Sequence, residues 1–74
     1  MMNTENLVRM ANNIGDFFAA EPDRQVAVAG IANHIRQFWE FRMRKAIIEH
    51  HQAGGEGLNE LPAAAVAMLA SEAR

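Results

Sequence analysis

At 74 residues the chain has room for one domain, spanning 1–74, and for only a small core. It contains no cysteine, which excludes disulfides, thiolate metal sites, iron–sulfur ligation and thiol catalysis together. Its formal charge of −2 argues against a general nucleic-acid binder, which needs a cationic excess to displace phosphate counterions.

The first predicted helix covers about 4–20. Leu7, Met10, Ala11, Ile14, Phe17 and Phe18 recur at helical spacing and form one stripe, with Arg9, Asn12, Asn13 and Asp16 opposite. Asn3 or Thr4 caps the start, and Glu5 suits the positive end of the helix dipole. Gly15 costs a helix up to about 1 kcal/mol relative to alanine, so it is expected to mark the close approach of another backbone. Glu21-Pro22-Asp23 ends the segment, because proline disfavours helical geometry in the residue before it.

The second predicted helix covers about 23–39, with Val28, Ile31, Ala32, Ile35, Phe38 and Trp39 as its stripe and Gly30 as a second close-packing point. Trp39, Met43, Ala46, Ile47 and His50 nearly continue that stripe. Residues 41–53 therefore form either a third helix or the far half of one long helix. Phe41 and Ile48 lie off the stripe and need a second surface to cover them. Gly54-Gly55-Glu56-Gly57 stops the helix, since glycine accepts the left-handed geometry of a C-terminal cap. Asn59 is the expected cap of a last helix, about 59–73, rich in alanine. Its stripe of Leu61, Ala65, Met68 and Leu69 is thin, and the helix is expected to fray unless something covers it. No β-type alternation persists, so the expected class is all-α, a small bundle of three to four helices.

Little in the chain resembles reaction chemistry. His50 and His51 are adjacent, so on a helix they diverge by about 100° and do not chelate one ion together. The i, i+4 histidine pair of helical metal sites is absent, and solvated helix-end histidines are expected. The glycine run lacks the Lys-Ser/Thr of a phosphate loop. Ser71 and Thr4 are the only hydroxyl side chains, each near an end, and no nucleophile–base pair assembles. No apolar run approaches the roughly 20 residues of a membrane span. The start, Met1-Met2-Asn3-Thr4-Glu5, has no basic stretch followed by an apolar one, and a cytoplasmic location is expected.

The densest signal is Arg36-Gln37-Phe38-Trp39-Glu40-Phe41-Arg42-Met43-Arg44-Lys45, with three of the five aromatics and four of the seven basic residues. Trp, Arg and Met together make the composition of a protein–protein anchor. The candidate interface is Arg36, Trp39, Phe41, Arg42, Met43 and Arg44. Trp39 suits core and interface equally, because helical spacing also puts it on the second stripe. Phe41, Arg42 and Arg44 fall outside that stripe and favour the surface.

Three segments in register resemble the delta subunit of soluble NAD-dependent formate dehydrogenases of the molybdenum or tungsten type. They are Asn6 to Phe18, Phe38-Trp39-Glu40-Phe41-Arg42-Met43-Arg44 and Gly54-Gly55-Glu56-Gly57-Leu58. One departure is Phe41, which follows the Trp-acidic pair where the family usually has proline; without the proline, one helix and two stay equally open. The resemblance implies an accessory subunit with no redox centre and no catalytic residues. It implies association with the large catalytic subunit of an enzyme whose other subunits carry a molybdenum or tungsten pterin cofactor, iron–sulfur clusters, FMN and the NAD site. A transient maturation factor of the same enzyme, and a stand-alone helical homodimer, are the competing readings; no nucleic-acid or membrane partner is expected.

Overall fold

A computed structural model describes residues 3–73 and places four helices there: α1 Thr4–Phe18, α2 Arg24–Phe38, α3 Phe41–Gln52 and α4 Glu60–Glu72. The described residues hold no strand, so the class is all-α. Asn3 caps α1, its side-chain oxygen accepting from the backbone N–H groups of Glu5 and Asn6. Asp23 does the same for α2 through Gln25 and Val26. Each cap satisfies donors that a helix start otherwise leaves unpaired.

The middle of the chain is two helices. Trp39 and Glu40 are both extended, with φ/ψ of −96°/137° and −63°/158°. That step lets the indole turn inward, leaving Trp39 only 5% exposed, while the main chain starts a new helix. No proline is needed for the break. Arg44, one turn into α3, reaches back and donates through Nη1 to the Trp39 carbonyl (2.5 Å) and the Arg36 carbonyl (3.5 Å). A cation on the last carbonyls of α2 is favoured by the helix dipole and fixes the corner between the two helices.

α2 is the centre of the bundle. Ala27, Val28, Ile31, Ala32 and Ile35 are all buried on it, and its most extensive neighbour is α4. Two ion pairs set that packing. Arg24 pairs with Glu60 at the starts of the two helices, and Arg36 pairs with Glu72 at their ends through two oxygens at 2.9 and 2.8 Å. The helices therefore run parallel, in register along their length.

The expectation for α4 is corrected. It is an integral part of the core, with Pro62, Ala65, Val66 and Leu69 buried at i, i+3, i+4 and i+7. Met68 faces outward instead. Alanine contributes by being small: it lets α2 come close enough for Val66 and Leu69 to fill the gap. Asn59 holds the N-cap position as expected, but its side chain makes no capping hydrogen bond. Its N–H instead donates to the Asn12 side-chain oxygen (2.9 Å), and the Asn12 amide donates to the Gly57 carbonyl (2.9 Å). Asn12 thus clamps the 53–59 turn onto α1. Asn12→Ala is expected to destabilise by about 1–3 kcal/mol, with faster amide hydrogen exchange at Asn59.

Gly15 meets its expectation as a crossing point. A Cβ there would lie 2.8 Å from the Pro62 ring of α4. A ring fused to its own backbone yields little, so Gly15→Ala should lose about 1–2 kcal/mol in urea unfolding rather than gain helix propensity. The same contact explains a departure in α1. With α4 drawn in beside Gly15, the buried face turns toward Leu7, Ala11 and Gly15, and Met10 and Phe17 are left outside. Gly30 admits the Phe18 ring in a similar way, a Cβ there falling 2.5 Å from the ring edge.

Candidate partner interface

The buried core is built from aliphatic residues and one indole; Phe18 packs against its edge, and the other three phenylalanines stay out of it. Phe17, Phe38 and Phe41 are 78%, 70% and 68% exposed. Isolated exposed apolar residues are ordinary, but three of the four phenylalanines of so small a chain are a feature that calls for a cover.

The predicted interface residues separate into three groups. Trp39 faces the core and Met43 is half-buried against it. Arg36 is engaged by Glu72, and Arg44 by main-chain carbonyls. Phe41 and Arg42 face solvent. So does Lys45, which falls outside the predicted set although it sits one turn beyond Phe41.

The geometry of α3 explains this. Met43, Ala46 and Ile47 point to the core, with Ile47 fully buried. Phe41, Lys45 and Ile48 lie at i, i+4 and i+7 on the other side, a second stripe about 180° away. That stripe borders a groove of about 430 Å³ closed by Leu69 and Glu72 of α4, by Ala73 just after it, and by Arg36 and Arg44. Its floor is Phe41, Ile48 and Leu69. Glu49 sits on its far rim.

Sequence reasoning missed a second apolar surface between α1 and α2. Phe17 stands edge-on to Phe18, ring centres 5.1 Å apart, and His34 lies 4.8 Å from Phe38. Ile14, Phe17, Phe18 and His34 line one shallow hollow there. Phe17 and Phe38 belong to the predicted core stripes, and only the rotation of α1 and the end of α2 turn them out. A hollow of about 650 Å³ between the start of α1 and the 50–57 turn is lined mostly by polar residues, with Val8 among them. Its groups largely satisfy one another: Asn12 holds Gly57, the His50 ring nitrogen Nε2 contacts the Glu56 carbonyl at 2.7 Å, and Arg9 donates to Asn6.

His50 and His51 do not converge, and among the described residues no group of three or more His, Cys, Asp or Glu is arranged to hold a metal ion. No described helix is long and apolar enough to cross a membrane. The Glu60 carboxyl is held below its ordinary range, chiefly by the hydrogen bond from Arg24. That pair's contribution to stability is therefore present at neutral pH and is lost as pH falls through the depressed Glu60 value.

A small all-α bundle that holds aromatic side chains out in solvent is the class these features define. The family model of the NADH-dependent formate dehydrogenase delta subunit, FdsD, matches residues 6–66, and the chain belongs to that family. Comparison with curated proteins and with solved structures returns no match.

Proposed function

We propose that the chain is a non-catalytic accessory subunit that docks on the large catalytic subunit of an NADH-dependent formate dehydrogenase and supports its assembly, stability or activity. Family membership supports the enzyme as partner. The observation that carries the docking is the outward stripe of α3. Ile48 on that side is half-buried against the core, but Phe41 is 68% exposed, and a helix whose inner face already fills the core has no folding reason to hold that ring out. The docking mode is a helix face packed on a partner surface, with Phe41 as the apolar anchor and Arg42 beside it.

The redox work belongs to the partner subunits in this reading. The chain has no thiolate for a cluster, and its histidines do not converge on one ion. Its contribution is conformational. By binding the cofactor-loaded enzyme more tightly than other states, it shifts the population toward the active form, and only that difference in affinity counts.

Deletion of the gene in its host, followed by assay of formate oxidation and of complex composition, tests the reading. Loss of activity, or loss of subunits from the purified enzyme, is the expected result. Unchanged activity in an unchanged complex would overturn it.

A further inference from the structure

The basic residues of this chain cluster along the sequence. Four of the seven basic residues fall within residues 36–45, together with only one of the nine acidic ones. With Glu49 and Glu72 also lining it, the groove beside Phe41 carries three cations, Arg36, Arg44 and Lys45, against two carboxylates, a small cationic excess on a chain of net charge −2.

Not all of these cations are answered internally. Arg36 has Glu72. Arg44 has main-chain carbonyls and no carboxylate, while Arg42 and Lys45 have neither a hydrogen bond nor an ion pair among the described residues. Arg44 and Lys45 line the same groove as Phe41, Ile48 and Leu69, and Glu49 is the groove's one unpaired acid.

From this we infer that the Phe41–Ile48 groove accepts an acidic amphipathic segment of the enzyme. The segment sets an aliphatic or aromatic side chain over Phe41, Ile48 and Leu69, and a carboxylate against Lys45 and Arg44. Arg42, just outside the groove, supplies the approach field. The inference rests on the docking reading above and adds the chemistry of what docks.

The alternatives fit the groove less well. A second copy of this chain placed symmetrically would set Lys45 and Arg44 against their own like charges. A nucleic acid would gain little from an apolar floor, and the remaining charge of the chain would repel it. The acidic segment satisfies the floor and the rim together.

Lys45 is the only lysine of the chain, which makes the test specific. The intact enzyme, purified from its host with this chain in place, is treated with a carbodiimide. The reagent joins an amine to a carboxylate only where the two already touch. The linked peptides are then read by mass spectrometry. The expected product joins Lys45 to an Asp or Glu of a large enzyme subunit. Lys45→Arg should bind as the parent does but give no such link. Arg42→Glu with Lys45→Glu should weaken binding on the order of tenfold at low salt, with the gap narrowing as salt rises.

If the parent chain binds but Lys45 links only to Glu49 or to another copy of the chain, the inference is overturned and the docking reading stands. Equal affinity of the charge-reversed chain overturns it in the same way. Failure of the parent chain to bind the enzyme at all sinks both.

Discussion

Trp39→Ala is expected to destabilise the isolated chain by about 3–5 kcal/mol, the range for removing a large buried aromatic. A domain of this length has a total stability on the order of 4–11 kcal/mol at the usual per-residue rate. The variant should therefore melt more than about 12 °C lower, at about 4–8 °C per kcal/mol for so small a domain. The indole is 5% exposed and sits in the cluster formed by Ile31, Ile35, Ile47, Val66 and Leu69. It joins residues of three helices at the corner where the chain changes direction, so no single neighbour can collapse into the space it leaves. Trp39→Phe, which retains most of the apolar area, should lose clearly less. Circular dichroism through a thermal scan is the check. A change below about 0.5 kcal/mol, the usual result at an exposed position, would mean that the indole is not core.

Phe41→Asp should do the reverse. Its fold is expected to stay within about 0.5 kcal/mol of the parent, because the ring is mostly in solvent and an acid at the first position of α3 suits the helix dipole. Its affinity for the enzyme should fall by roughly 30-fold or more, the loss of a central anchor. The substitution removes the ring that floors the groove and places a negative charge where an acidic segment is expected to lie. Binding by calorimetry or by surface capture, beside a melting curve for the same preparation, separates the two effects. A variant that melts early and binds weakly would reveal a folding role for Phe41. One that melts normally and binds normally would remove Phe41 from the interface.

Helix spacing makes most of the architecture legible. Most of the stripes on α1 and α2, though not Met10, Phe17 or Phe38, follow from patterns within a few residues, as do the Pro22 break, the glycine stop and the role of Gly15, and local patterns are what a sequence displays. Phe41 and Ile48 are also readable as residues in need of another surface, since both fall off the one stripe their helix can bury.

Whatever depends on distant residues is hidden. Arg24 meets Glu60 and Arg36 meets Glu72 at one shared separation along the chain, which gives no signal until α2 and α4 are known to be parallel. Asn12 looks like any polar-face asparagine, yet its partners lie more than forty residues on. The alanine-rich helix looks too thin to matter because alanine buries little area of its own; its value is the close approach it permits. Trp39 is ambiguous for a related reason. The same spacing serves an indole turned inward and one left at the end of a helix, and the two extended residues at 39 and 40 decide between them.

The most direct test of the central claim is the mass of the intact formate dehydrogenase, purified from its host without a tag on this chain and measured by native mass spectrometry. The account predicts one 8.2 kDa copy of this chain for each large catalytic subunit, released by Phe41→Asp. A fully active enzyme whose mass leaves no room for the chain would contradict it.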